Sequence, residues 1–198
     1  MKYPTIDSIL SVMKSKKYKV FEDDKKNYNL NLIGIRTNTN KLDSFDDLFT
    51  VSWKFKGQWN LLIFEATTDP GVFMLVQPMN SSGTAIVKEG HYPKLWKIGK
   101  HKTYKALAQH SNITVVRDFN RDRKLDFYSG KEYTGKFAIN CHRANQFKKS
   151  IEVGKWSAGC QVIADPNDFN VLMKLCDESA MNWGDKFTYT LLHERDFL

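Results

Sequence analysis

From Leu48 onward the apolar residues of this chain come in short runs cut by turn-forming clusters, a spacing that suits strands and leaves little room for helices. LFTVSWKF (48–55) gives way to KGQW, and NLLIFEAT (60–67) is closed by Thr68-Asp69-Pro70-Gly71. GVFMLVQP (71–78) is followed by NSSG (80–83), and TAIVKEG (84–90) comes next. Gly and Pro in such clusters supply the backbone angles that a turn requires. The pattern predicts a β meander over 48–90, with NITVVRDF (112–119) as a further strand. KFTYTLLHERDF (186–197) alternates through Phe187, Tyr189 and Leu191 and is expected to be a final strand inside the sheet. HYPKLWKIGKHKTYKALAQ (91–109) lacks a clean period and reads as a loop or a broken strand pair rimming a cleft.

Helical patterning is confined to two places. Ile6, Ile9, Leu10 and Met13 fall on one face behind Thr5 or Ser8, so a short amphipathic helix is expected over 5–18. Asp165-Pro166 opens a second helix, with Phe169, Leu172, Met173, Leu175 and Cys176 on its apolar side and Gly184 beyond its end. NLNLIGIRT (28–36) alternates as a strand, and NTNKLDSFDD (37–46) is a loop. The fold class is therefore mainly β with peripheral helices. Residues 1–47 form an N-terminal helix and strand packed on a main domain spanning 48–198. A chain of 198 residues can bury one full core.

A net charge of +8 favours anionic partners: nucleic acid, a membrane surface or a cell-wall polymer. The lysines are scattered, and no helix-turn-helix, finger or ribonucleoprotein signature is present, so nucleic acid is not expected. Three cysteines without a CxxC pair make neither a disulfide framework nor a zinc thiolate site. Asp118, Asn120 and Asp122 alternate like the start of a calcium loop, but Arg123 stands at the sixth position and Ser129 at the twelfth. A polar turn held by Asp–Arg pairs is expected there instead, and no metal or cofactor anywhere. MKYPTIDSIL carries no signal-length apolar stretch, and the chain has no membrane-spanning segment.

Chemistry concentrates in FAINCHRANQFKKSIEVGKWSAGCQVI (137–163). A strand-like run, Phe137 to Ile139, delivers Cys141 and His142, and Ser157-Ala158-Gly159-Cys160 opens onto a second apolar run. Two strand-like pieces flanking a loop can set His142 beside Cys160. An imidazole that accepts the thiol proton is the minimal machinery for acyl transfer by cysteine. Gly159 leaves space against the backbone, and the amide of Cys160 can donate toward an oxyanion. Cys141 should face the core, because strand neighbours point to opposite faces, and Cys176 is core filler. His91, Tyr92, Trp96 and His101 can line a cleft, but a packed or solvated position is the plainer expectation for each. His110 and His193 have no evident partner.

This segment resembles the YkuD-type catalytic domain of L,D-transpeptidases. The signature of that family is a strand histidine, a spacer of similar length and then Ser/Thr-His-Gly-Cys, matched here by His142, Ser157, Gly159 and Cys160, with Gly154 shortly before. The resemblance implies a YkuD-like β-sandwich and a cysteine transferase or peptidase acting on peptidoglycan stem peptides through a thioester. The acyl group then passes to an amine, as in a transpeptidase, or to water, as in an L,D-carboxypeptidase or endopeptidase. By the same resemblance Cys160 is the nucleophile and His142 the base. Gly159 and Cys160 supply the oxyanion amides, and Ser157 orients the loop and the histidine. Arg143, Gln161 and Trp156 are the candidate substrate-binding residues, with a structural salt bridge as the other reading of Arg143 and plain surface as that of Gln161. Ala158 departs from the motif histidine, and Gln161-Val162 departs from the usual residues after the nucleophile. The expected partner is the cell wall, reached by a monomer made in the cytoplasm and released by a lysis system, as an endolysin-like phage enzyme would be. The alternatives are an inactive peptidoglycan-binding or virion structural module, which Ala158 favours, and a cysteine peptidase with a protein substrate.

Overall fold

A computed structural model describes residues 3–39 and 41–198; Met1, Lys2 and, in the expected 37–46 loop, Asn40 lie outside the described residues. The described residues form eleven strands: β1 (Asn31–Arg36), β2 (Asp47–Phe55), β3 (Gln58–Thr67), β4 (Thr84–Val87), β5 (Gly90–His101), β6 (Tyr104–Gln109), β7 (Ile113–Asp118), β8 (Lys131–Gly135), β9 (Cys141–Arg143), β10 (Gln161–Ile163) and β11 (Lys186–His193). Three α-helices, α1 (Ile6–Ser15), α2 (Val72–Val76) and α3 (Pro166–Trp183), and a closing 3-10 turn (Glu194–Phe197) complete the chain. The mainly β character with peripheral helices is as expected. The strands form one closed barrel in the order β1-β11-β5-β6-β9-β10-β3-β2, with a separate sheet β4-β7-β8.

Local chemistry explains much of this. Phe55 pairs with Gln58 across Lys56-Gly57, both at positive φ (49° and 79°), the geometry that fits the twist of a two-residue hairpin. A second two-residue hairpin, Lys102-Thr103, joins β5 to β6 and leaves His101 as the last residue of β5. The 91–109 stretch is thus a regular strand pair. Thr5 caps α1 and Asp165 caps α3 through bonds to backbone amides. Ile9, Val12 and Met13 of α1 pack on Ile33, Ile35, Leu48 and Leu192, each burial stabilising by about 1.5–3 kcal/mol. β1 is a wall strand between β2 and β11, with Leu32 in the main core and Ile33 and Ile35 under α1.

The expected meander over 48–90 is only its first hairpin. Residues 72–76, anticipated as strand, are helical: Met74 N and Leu75 N bond back to Gly71 O, and only Leu75 is buried. An unbroken apolar run has no period to tell strand from helix. β4 leaves the barrel to pair with β7. β8 was not anticipated because Lys131-Glu132-Tyr133-Thr134 are all exposed and carry no apolar alternation. Phe137–Ile139 are not a strand: Ala138 sits at φ 58°, and the amides of Phe137 and Ile139 donate to Gln109 Oε1 instead of to a neighbouring strand.

The barrel centre is aromatic. Tyr189 lies 4.4 Å from Trp96 and 6.1 Å from Phe49 by ring centroids. Its hydroxyl fills the space that a side chain on Gly34 would need and donates to Gln161 Oε1 at 2.6 Å. Tyr189→Phe leaves that buried oxygen without its donor and should cost about 1–3 kcal/mol, seen as a lower urea midpoint with an unchanged slope. An unchanged midpoint would show that the bond contributes nothing.

Candidate active site

β9 and β10 run parallel, with Gln161 opposite Cys141 and Val162 opposite His142. That register carries Cys160, one residue before β10, up to the imidazole of His142. One ring nitrogen of His142, one of His101 and Cys160 Sγ all lie within 4.8 Å of one another. Cys141 points the other way and is fully buried, as is Cys176.

Hydrogen bonds assign the protons. His142 Nδ1 lies 2.8 Å from the carbonyl of Arg143, which can only accept, so Nδ1 carries the hydrogen. Nε2 is then a bare acceptor; it is buried and has no partner among the described residues. Asn140 Oδ1 accepts from the amide of Gln109 at 2.9 Å, which turns its Nδ2 toward His101 Nδ1 at 3.2 Å. His101 therefore holds its proton on Nε2. The two imidazoles stack at 3.8 Å with an interplanar angle of 15°.

Burial, with His101 alongside, lowers the His142 pKa to about 3. Burial also raises the Cys160 thiol to about 11, opposed by the Asn140 amide, which approaches the sulfur at 3.5 Å. The resting pair is neutral thiol and neutral imidazole. Burial, Lys102 and Arg143 lower His101 as well.

Ser157 does not touch the histidine. Its hydroxyl donates to Cys160 O at 2.8 Å and accepts from Gly159 N at 3.2 Å, so it fixes the turn that presents the cysteine. Gly159 stands at φ 119°, and a Cβ there would meet Ala85 O at 2.6 Å. With the Gly159 amide committed to Ser157, the amide of Cys160, which has no protein acceptor among the described residues, is the one of the two left free to donate.

The remaining candidates separate. Gln161 is fully buried inside the barrel, bonded to Tyr189 and facing Thr68 O, so the expectation that it contacts substrate is corrected. Alternation along β10 turns it away from the face that Cys160 opens onto. Arg143 has no carboxylate in salt-bridge range among the described residues; its guanidinium stacks on Tyr104 at 3.8 Å. Trp156, 39% exposed, stands between two cavities. One, of about 580 Å³, reaches Cys160, Ala158 and Asn140; the other, of about 490 Å³, reaches His142 and Arg143, and His101 and Lys102 line both. Of the other histidines and aromatics considered, His91 bonds Thr190, Tyr92 bonds Lys88 O, Trp96 is core and His193 caps the last turn. Asn140 and Gln109 were not singled out by pattern, and His101 only as one of four possible cleft-lining residues, because single polar residues carry no periodic signal.

His101, His142 and Cys160 are also the ligand types of a zinc centre. Stacked rings, however, send their in-plane lone pairs along parallel lines instead of toward one ion. A ligating histidine moreover donates its second N–H, whereas His101 Nδ1 accepts from Asn140. The cluster fits proton transfer better than chelation. No family model, no curated protein and no solved structure matches this chain.

Alkylation by iodoacetamide should label Cys160 alone in the folded protein, leaving Cys141 and Cys176 unmodified until denaturation. The thiolate is the reactive form and its pKa lies near 11, so the labelling rate should rise about tenfold per pH unit from 7 to 10. A rate already level near pH 7 would instead reveal a preformed thiolate–imidazolium pair.

Proposed function

We propose that the protein is a cysteine-dependent acyl-transfer enzyme acting on peptidoglycan stem peptides, an L,D-transpeptidase or its hydrolytic variant of YkuD-like, sandwich-related fold. The observation that carries this reading is that a ring nitrogen of His142 and Cys160 Sγ lie within 4.8 Å of one another, that Nε2 of this ring is unpartnered, and that Cys160 lines a cavity. The lining of that cavity supports an anionic substrate: Lys102, Arg117, Lys136 and Lys155 surround it, with no Asp or Glu. Stem peptides bear carboxylates that such a lining attracts.

The chemistry follows from the neutral resting pair. His142 Nε2 takes the thiol proton as Sγ attacks the carbonyl carbon, so negative charge builds on the carbonyl oxygen beside the Cys160 amide and not on an isolated sulfur. The imidazolium returns the proton to the departing amine, leaving a thioester on Cys160. An incoming amine or water gives its proton to Nε2 and attacks the thioester; the C–S bond breaks, and the imidazolium returns that proton to sulfur to restore the thiol. His101, stacked on His142 and protonated at Nε2, supplies polar lining where the motif histidine is replaced by Ala158.

The second reading, an inactive peptidoglycan-binding module, draws on the same pKa directions, because a thiol near 11 beside an imidazole near 3 is a weak resting dyad. Digestion of purified peptidoglycan followed by mass spectrometry of the stems separates the two. The wild type should create new cross-links, remove terminal D-alanine or open bridges. Cys160→Ala should do none of these, and His142→Ala should be slower by about 10²–10⁴-fold. Identical stems with wild type and Cys160→Ala would refute the enzymatic reading.

A further inference from the structure

Asn140 stands between the sulfur and the second imidazole of the site. Its backbone amide approaches Cys160 Sγ at 3.5 Å, and its side-chain Nδ2 lies 3.2 Å from His101 Nδ1. The side chain has one orientation open to it. Oδ1 faces the amide of Gln109 at 2.9 Å, a group that can only donate, so an N–H of Nδ2 is what reaches His101. Gln109 is itself held by four bonds: Oε1 takes the amides of Phe137 and Ile139, and Nε2 donates to Ser111 O and Gly135 O.

His101 stacks on His142 at 3.8 Å, and a ring nitrogen of each lies within 4.8 Å of Cys160 Sγ. On distance alone either imidazole could take the thiol proton. Their lone pairs separate them. That of His142 is free on Nε2, whereas that of His101, on Nδ1, is occupied by Asn140. Protonating His101 would set an N–H against the N–H of Asn140. Lys102 and Arg143 also oppose a charge there, and neither cavity that His101 lines contains an Asp or Glu. A neutral His101 in turn spares the imidazolium of His142 a like charge across the stack. The Nε2–H of His101 has no acceptor among the described residues, and its half-buried ring borders both cavities.

We infer that Asn140 is a positioning residue that keeps His101 a neutral hydrogen-bond donor, so that His101 holds an acceptor oxygen of the substrate through Nε2–H and leaves the thiol proton to His142. The part played by the substrate rests on the acyl-transfer reading; the part played by Asn140 does not. The carbonyl and carboxylate oxygens of a stem peptide only accept, so a ring that presented a lone pair would repel them where an N–H binds them.

NMR of the full chain with isotope-labelled histidines, followed through a pH titration, reports the tautomer of each ring. The signals of His101 are assigned by their loss in His101→Phe. Wild-type His101 should be the neutral Nε2–H tautomer at neutral pH. Asn140→Asp keeps an acceptor for the Gln109 amide but turns a carboxylate oxygen to His101, so its pKa should rise by about one unit or more, with a proton on Nδ1. An Nδ1–H tautomer in the wild type would overturn the proposal, as would an unchanged His101 in Asn140→Asp. Should that variant not fold, the wild-type tautomer decides alone. Turnover of stem peptides tests the donor. His101→Phe keeps a stacked ring without the N–H and should be slower by about 10²-fold, and His101→Gln, which restores an N–H, should recover part of the loss. Equal turnover in His101→Phe would overturn the donor role. A loss as complete as in Cys160→Ala, with no recovery in His101→Gln, would make His101 the base and overturn the division of labour. A wild type that alters no stem would remove the substrate role together with the acyl-transfer reading, while the tautomer still decides what Asn140 does.

Discussion

The parallel pairing of β9 with β10 is the contact on which the candidate site rests. Both strands are three residues long, and the bond from Gln161 N to Asn140 O extends their ladder by one step toward the cysteine. Parallel neighbours require a long crossover, supplied here by residues 144–160. Asp43 pins that crossover from outside the barrel: its carboxylate accepts from Gly154 N at 2.7 Å and Val72 N at 3.1 Å, and its carbonyl accepts from Val153 N. A slip of one residue between β9 and β10 would exchange Cys141 for His142 and turn the imidazole away from Cys160.

Around this register the protein sets polar groups to hold backbone. Gln109 takes the amides of Phe137 and Ile139 on its Oε1, and Trp96 Nε1 donates to Ile139 O at 2.8 Å. Those bonds fix an irregular segment that would otherwise have unpaired buried groups. Asn140 then has its orientation dictated by Gln109 and in turn dictates the tautomer of His101. Across the barrel, Arg36 plays a comparable part: 1% exposed, it pairs with Asp69 at 2.9 Å and Glu89 at 3.3 Å and ties β1 to the end of β3 and the start of β5. Within this framework the buried side-chain atoms without a partner among the described residues are Nε2 of His142, Oδ1 of Asp118 and Oγ of Ser52, and of these only His142 lies in a cluster with a cysteine.

Much of the fold could be read from neighbouring residues. Lys56-Gly57 announces its hairpin, Asp165-Pro166 opens α3, and alternation through Phe187, Tyr189 and Leu191 marks β11 as an interior strand. The failures have a shared cause. Val72–Val76 is apolar throughout and has no period; β8 is polar throughout and has none either. Phe137–Ile139 looks like a strand, but its partner is a side chain. Within the site, the cysteine–histidine spacing was visible, while Gln161 was read as a substrate contact or plain surface and is buried, and His101 was one of four possible cleft-lining residues.

The sequence by itself determined the pair, His142 with Cys160, and the glycine turn that presents the sulfur, because capping, turn angles and spacing are properties of residues close in the chain. Only the tertiary structure decided the barrel closure, the stacking of His101 on His142, the inward turn of Gln161 and the buried, unpaired oxygen of Asp118. Each of those depends on which distant segment lies alongside, and register between distant segments is fixed by the packing of the whole core.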